Sequence, residues 1–588
     1  MNLLINLNFL IIISSYTFLV NCSTLSRPEV TTEWGKITGF TERIGDKLVD
    51  TYLSIPYAEP PVGPNRFKPT VPLQTPWDDP LDATEYSPAC PEPYVGNDMK
   101  RAGKLIVRSE DCLYLNVWIP QRSSTNSSWL DLTRSSANKM VDSKQGLPVM
   151  VYAHGGGLVM LSAGDSKFMD GAQLASTGEF IVVTFNFRLG ALGWLYCDDS
   201  SISGNMGLYD SLMAIDWVYN NIHAFGGDPK RLTVNGLSSG GNMVTSLFLN
   251  GLLNPYISSL IVHSGVISDI YTEPTDLAKR RCDLISLNLS CRLPDQPVDS
   301  KVINCLQNTP TVRLLMAQSA LAMEKDKLNT KRPEIFFVTT GDSLIPHNIT
   351  TLYKLRKWSK SVPIFVSLVT DEASVIEHHL PRKGVATFGS YENYLLSVAP
   401  TLLPERFSVS PKTVASDLSK VYLSGFKESS LAFMDLSMRR MVGDWYITCP
   451  TLHFADEMSS TNPVWLSLFS YTINPARKNL PPLVAGRKYG TRHGIDIFFY
   501  FGVPHYEGHG YDDKDRSVST NAMLIWSRFV REGYANWTPY QVTSKGRVIP
   551  YIKELNSNRA IITRINPDRY RCYVWDDLFY NSDNDQEI

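Results

Sequence analysis

The chain is predicted to be an α/β protein built on a mostly parallel sheet with helices on both faces. Two observations carry that expectation. Continuous apolar runs of strand length alternate with stretches of helical periodicity, the pattern of strands buried on both faces and joined by helical crossovers. In addition, a G-x-S-x-G turn stands between one such run and a helix-like segment, where a strand-to-helix elbow belongs. The strand candidates are Leu147 to Ala153, Phe180 to Phe187, Arg231 to Asn235, Ser258 to His263, Val362 to Leu368 and Trp465 to Thr472. Gly207 to Val218 has apolar residues at helical spacing and reads as a crossover helix. The Ser-rich interval from Arg122 to Gln145 reads as a surface loop, and no internal repeat is present.

The turn is Asn235-Gly236-Leu237-Ser238-Ser239-Gly240-Gly241, after Arg231 to Val234 and before Asn242 to Phe248. A serine on so sharp a turn needs small neighbours, because only glycine lets the flanking chain pass closely enough. Ser238 is therefore the candidate nucleophile. A pattern this short is weak by itself, but the run Leu147 to Ala153 ends in His154-Gly155-Gly156-Gly157. Consecutive glycines expose backbone N–H groups. With the N–H of the residue after the nucleophile they can receive the charge that develops on a carbonyl oxygen under attack. Gly156, Gly157 and Ser239 are assigned that role.

A serine hydroxyl needs a base, and the base needs an acid to hold its tautomer. The chain has 10 histidines. His493 stands in a loop, Tyr489-Gly490-Thr491-Arg492-His493-Gly494, just before an apolar helix-like run; most of the other histidines read as surface or loop residues. For the acid, Thr370-Asp371-Glu372-Ala373-Ser374 follows the strand Val362 to Leu368, at the edge where such sheets collect their functional loops. The order serine, acid, histidine is the one expected of α/β-hydrolases.

Composition sets the wider class. With 588 residues, 43% hydrophobic and 19% charged, the chain reads as an ordinary globular protein, and one catalytic domain over 23–588 is expected. A formal net charge of −2, with no basic stripe, gives no electrostatic case for nucleic acid or an anionic membrane. The apolar stretch from Leu3 to Val20 reads as a signal peptide over 1–22, although its first residues lack Lys or Arg; an uncleaved anchor is the alternative. No later run is long enough to span a membrane, and the polar, acidic C-terminus excludes a lipid-anchor signal. Secretion accords with glycosylation acceptors at Asn126, Asn288, Asn348 and Asn536, and with nine cysteines. Cys90 and Cys112 bracket a short loop, as do Cys291 and Cys305; Cys449 and Cys572 lie far apart, and if Cys22 leaves with the signal peptide, Cys197 and Cys282 remain. Spacing alone does not assign their connectivity. No cofactor is implied, and the pair His378-His379 lacks the companions of a metal site.

These segments, and others beside them, resemble the type-B carboxylesterase and cholinesterase family over nearly the whole mature length. The matching segments are Ile55-Pro56-Tyr57-Ala58-Glu59-Pro60-Pro61-Val62-Gly63, Ser109-Glu110-Asp111-Cys112-Leu113-Tyr114-Leu115-Asn116-Val117-Trp118, Asn186-Phe187-Arg188-Leu189-Gly190 and Ala224-Phe225-Gly226-Gly227-Asp228-Pro229. The resemblance implies an α/β-hydrolase fold, Ser238 as nucleophile, Glu372 rather than Asp371 as acid, and His493 as base. It also implies disulfides Cys90–Cys112, Cys291–Cys305 and Cys449–Cys572, and structural ion pairs for Glu110 with Arg66 and for Arg188 with Asp210.

The chain departs from that pattern where substrate is chosen. The elbow usually carries Glu and Ala around its serine, whereas Leu237 and Ser239 stand here. Leu237 removes a carboxylate that favours cationic substrates in cholinesterases. The loop from Cys90 to Cys112 contains no Trp, and Tyr94 is its only aromatic residue, so the best cation–π partner is absent from it. Ala373, Val375 and Ile376 follow Glu372 where the family has Gly and the choline enzymes have aromatics. The expectation is a secreted serine carboxylesterase acting on uncharged, lipophilic esters. The rivals are a cholinesterase and, from another class, a catalytically silent extracellular binding protein of the same fold.

Overall fold

The computed structural model describes residues 27–93, 100–101, 104–105, 107–121, 146–164, 169–199, 201–323, 335–379, 393, 395–396, 410–423, 431–474, 491–508, 510–542, 548–549, 552–556, 560–563 and 571–576. The leader, the Ser-rich interval, Asn126, Tyr94 and the acidic tail lie outside them. Among the described residues no helix is long and apolar enough to cross a membrane.

One mixed sheet organises the molecule. Its strands in chain order are β1 (Phe40–Ile44), β2 (Lys47–Pro56), β3 (Tyr114–Pro120), β4 (Leu147–Ala153), β5 (Ile181–Phe185), β6 (Gly227–Leu237), β7 (Ser259–His263), β8 (Ile364–Val369), β9 (Val464–Phe469), β10 (Ile552–Leu555) and β11 (Ala560–Thr563). Across the sheet they run β11-β10-β9-β8-β7-β6-β4-β5-β3-β2-β1. The block from β5 to β10 is parallel, and antiparallel partners close both edges. Central strands such as β5 and β8 are buried at every residue, which is why they read as Val/Ile/Leu/Phe-rich runs interrupted only by the small Thr184 and Ser367.

The sequence-based boundaries shift for local reasons. β6 begins at Gly227, paired with Leu147, because a register irregularity before Leu232 absorbs Asp228-Pro229-Lys230-Arg231; it then runs on to Leu237. β9 stops at Phe469, and the edge strands β1, β2, β10 and β11 escaped the apolar-run criterion because they are short or partly exposed.

Helices cover both faces. On one face α2 (Met206–Asn221) and α3 (Ser239–Leu249) bury Leu208, Ile215, Val218, Met243 and Leu247 against Val149, Val151 and Val183. On the other, α1 (Ala172–Gly178), α5 (Ile495–Tyr500) and α6 (Asp513–Glu532) pack Leu174, Phe499, Trp526 and Phe529 against Met150, Tyr152 and Val182. A further helix, α4 (Leu431–Gly443), lies beside the turn after β8. Buried ion pairs link the layers: Arg188 forks onto Asp210 at 2.7 and 2.8 Å, joining the segment after β5 to α2, and Arg66 pairs with Glu110 at 2.9 Å.

Four disulfides are present: Cys90–Cys112, Cys291–Cys305, Cys449–Cys572 and Cys197–Cys282. The last joins the two residues that spacing left over. It ties the strand Tyr196–Asp199 to the helix Thr275–Asn288 across a separation of 85 residues. Closing a loop of that length restricts the unfolded chain by roughly 4–5 kcal/mol in the chain-entropy account. The double variant Cys197→Ala/Cys282→Ala is therefore expected to unfold at a lower denaturant midpoint; an unchanged midpoint and slope would show that the unfolded state does not feel this constraint.

A pH dependence is built into the edge of the sheet. Burial, with the charge of Asp170 second, raises the Glu42 carboxyl to about 7, against the lowering effect of the Thr51 hydroxyl that donates to it at 2.7 Å. Because the folded value lies above the unfolded one, the favourable contribution is complete below about pH 4.5 and is lost as pH rises through about 7. Melting temperature should fall between pH 5 and pH 8, and Glu42→Gln should flatten that slope. Equal slopes for both proteins would refute the assignment.

Candidate active site

The register of the parallel strands brings four chain segments to one edge. Ala153 pairs with Gly236, Leu237 with His263, and His263 with Ser367, so β4, β6, β7 and β8 end side by side. Just beyond those strand ends stand His154, Ser238, Ser264 and the Asp371-Glu372 turn. This is the carboxyl edge where open α/β sheets place their sites.

Ser238 sits at φ 54° and ψ −124°, a left-handed backbone that an L-residue adopts at a cost. Close packing of main chain on main chain holds it there. A Cβ on Gly236 would lie 2.4 Å from the Gly240 carbonyl oxygen, one on Gly240 2.3 Å from that of Ala153, and one on Gly265 2.3 Å from that of Ser238. The Ser238 N–H donates to the His263 carbonyl at 2.8 Å, and the Ser238 carbonyl accepts from Asn242 at 3.0 Å. Gly265, which carries no motif in the sequence, matters as much as the glycines inside the pattern.

The glycine loop passes directly beside this turn. A Cβ on Gly155 would be 3.1 Å from the Ser238 Cβ. Gly156 and Gly157 have φ of 112° and 63°, and their N–H groups have no protein acceptor among the described residues. Three anchors fix the loop: Leu158 N–H donates to the Ser239 hydroxyl at 3.3 Å, Leu158 carbonyl accepts from Gly190 at 2.8 Å, and Leu161 N–H donates to Glu92 at 2.9 Å. Ser239 thus contributes a side chain to holding the loop, beyond the backbone N–H that the sequence suggests.

Glu372 and His493 meet. Glu372 is 3% exposed, and its Oε2 lies 2.7 Å from His493 Nδ1. Its other oxygen accepts from the Ser264 hydroxyl at 2.7 Å and from Val369 N–H at 2.8 Å. A carboxylate only accepts, so Nδ1 carries the proton and Nε2 presents its lone pair. His493 Nε2 is buried and has no hydrogen-bond partner among the described residues, the Ser238 hydroxyl included. The His493 loop does reach the elbow: a Cβ on Gly494 would lie 3.8 Å from Leu237 Cδ2. Asp371, the neighbour that spacing alone left as an alternative, instead pairs with Arg439 at 2.7 Å and takes part in a β-bridge with Arg492.

Several contributors had no signal in the sequence. Ser264 orients Glu372, and Ser374 accepts the His493 N–H at 2.8 Å. Two of the other histidines are enclosed: His154, in the loop after β4, and His263, at the end of β7, are 1% and 0% exposed. His154 stacks on Phe187 and donates from Nδ1 to the Gly155 carbonyl, while His263 bonds Asp496 and Trp526. An apolar strand end hides His263 because its polar partners come from distant segments. His378-His379 ends the 3-10 turn Glu372–His379.

Comparison with known proteins agrees with this construction. The model of the Carboxylesterase family matches residues 26–568. The chain is 27% identical to acetylcholinesterase-1 of Trittame loki, over 94% of each protein. It is 28% identical to human carboxylesterase 3, over 87% of this chain and 84% of that one. It is 26% identical to a medium-chain fatty acyl-CoA hydrolase precursor of Anas platyrhynchos, over 88% of each. With a family match across nearly all of its length and an α/β-hydrolase sheet that carries an elbow and a glycine loop at one edge, the chain belongs to the carboxylesterase family.

Proposed function

We propose that the protein is a secreted serine carboxylesterase that cleaves uncharged, lipophilic carboxylic esters through an acyl-enzyme. One observation carries this reading: a Glu372-bound His493 keeps a bare, buried Nε2 at the same sheet edge as a serine held in strained backbone. Ser238 Oγ attacks the ester carbonyl as His493 Nε2 takes its proton. The carbonyl oxygen becomes an oxyanion held by the N–H groups of Gly156, Gly157 and Ser239. Collapse expels the alcohol, which leaves with the proton from His493; water then repeats the sequence on the acyl-enzyme and releases the acid. Glu372 holds the Nδ1 side of the ring throughout and stabilises the imidazolium. No cofactor and no metal take part in these steps.

Substrate class is read from side chains at the same edge. Leu237 is 6% exposed and packs among apolar residues, and Val375 is 43% exposed just past the acid. Neither attracts a quaternary ammonium group. The likeness to acetylcholinesterases keeps a cholinesterase as the second reading. Secretion as one catalytic domain over 23–588 is supported by four disulfides and by exposed acceptors at Asn288, Asn348 and Asn536.

Two experiments test the proposal. Purified protein should hydrolyse a short-chain aryl ester and be labelled by a fluorophosphonate at Ser238, as read by peptide mass mapping. Ser238→Ala should lose both, and Glu372→Gln should lower kcat by roughly 10³- to 10⁴-fold. Folded wild-type protein with neither activity would leave the binding-protein alternative standing. For the choice of substrate, a quaternary ammonium inhibitor should compete with ester hydrolysis only weakly; inhibition at micromolar concentration would favour the cholinesterase reading.

A further inference from the structure

His263 does two jobs at once. It is the last residue of β7, directly opposite Leu237 in the parallel ladder, and its main-chain carbonyl receives the Ser238 N–H at 2.8 Å. Its ring reaches the other way. Nδ1 lies 2.9 Å from Asp496 Oδ2, and Nε2 lies 3.1 Å from the indole nitrogen of Trp526. Asp496 belongs to the first turn of α5, the helix that begins just after His493-Gly494, and Trp526 belongs to α6.

The protonation state of this ring follows from its partners. An indole nitrogen only donates, so His263 Nε2 is the acceptor. A ring that accepts at Nε2 must carry its single proton on Nδ1, where it donates to the Asp496 carboxylate. His263 is therefore a neutral ring with one donor and one acceptor, both used. The cluster is closed to bulk solvent: His263, Asp496 and Trp526 are each 0% exposed, and the rings of Tyr500 and Trp526 stand edge-on to the imidazole at 5.0 and 4.9 Å. Asp496 Oδ1 has no hydrogen-bond partner among the described residues, so the His263 bond is the side-chain contact seen to hold this carboxylate.

We infer that His263 is a positioning residue that sets the placement of His493 relative to Ser238. The inference rests on the esterase reading above. Its backbone holds the nucleophile, and its ring holds the first turn of the helix that directly follows the base, so one residue ties down both sides of a proton transfer that tolerates little displacement. A shift of about 1 Å between reacting groups can cost roughly 100-fold in rate. The rest of the cluster fits this role better than a role in the chemistry itself: the ring is sealed, its two nitrogens are occupied, and nothing connects it to the serine hydroxyl.

Glutamine has the same pair of functions as this ring, one donor and one acceptor, while leucine has neither. The experiment compares wild type, His263→Gln, His263→Leu and Trp526→Phe by aryl ester hydrolysis across pH, by the rate of fluorophosphonate labelling, and by thermal unfolding. His263→Leu should lose roughly 10- to 100-fold in kcat and in labelling rate, with KM within about threefold of wild type. The midpoint of its acid limb should stay in place, because the Glu372–His493 pair is untouched. His263→Gln should recover most of the rate, and Trp526→Phe should lie between them.

Folded His263→Leu with wild-type kcat would overturn the inference, as would a glutamine variant as slow as the leucine one. If His263→Leu does not fold, Trp526→Phe and His263→Gln carry the test: equal, wild-type kcat in Trp526→Phe overturns it. Wild-type protein that neither turns over ester nor labels at Ser238 would overturn the esterase reading itself, and this inference with it.

Discussion

The left-handed backbone of Ser238 is the constraint on which the rest of the site depends. A non-glycine residue in that region costs on the order of 1–3 kcal/mol and persists only where its surroundings leave no alternative. Here they leave none. Gly236, Gly240 and Gly265 allow carbonyl groups to approach where any Cβ would collide, and hydrogen bonds from Ser238 and Asn242 lock the turn at both ends. The strain is tolerated because the parallel ladder on either side of β6 is buried and regular. The same ladder sets down the glycine loop, Ser264 and the Glu372 turn at fixed distances from the elbow.

The legible parts of the fold were those encoded locally. Buried parallel strands appear in the sequence as apolar-rich runs, and an elbow needs its glycines within a few residues, so β4 to β9, the turn and the glycine loop could be read directly. Ser264, Ser374, Asp496 and the choice of Glu372 over Asp371 could not be read from residue spacing, because each depends on which side chain faces which across segments far apart in the chain. Glu372 and Asp371 are adjacent carboxylates and both buried; one meets His493 and the other meets Arg439 only because successive residues in that turn point in different directions. The family resemblance distinguished them where periodicity had no means to. Cys197 and Cys282 illustrate the same limit, since their pairing follows from how the strand Tyr196–Asp199 docks on a helix well downstream.

The two polar pairs at this edge differ in kind. Glu372–His493 leaves one imidazole nitrogen bare, whereas Asp496–His263 leaves none. A histidine with a free, buried lone pair can take a proton; a histidine bonded at both nitrogens can only hold its neighbours in place. Burial is similar for both pairs, so satisfaction of hydrogen bonds, and not depth, separates the group suited to chemistry from the group suited to support.

Leu237 and Asp496 are connected by this arrangement. Leu237 faces His263 across the ladder and packs next to Gly494, two residues before Asp496, so a carboxylate at 237 would stand beside the His263–Asp496 pair. Such a group would add a like charge there, and like charges in poorly hydrated surroundings repel strongly. Leucine at 237 avoids that conflict and leaves Asp496 as the acceptor of the His263 Nδ1 proton. The same substitution removes a negative charge beside the nucleophile, and with it a source of attraction for a cation. In the proposed carboxylesterase, the support of the base and the preference for uncharged esters thus follow from one side chain.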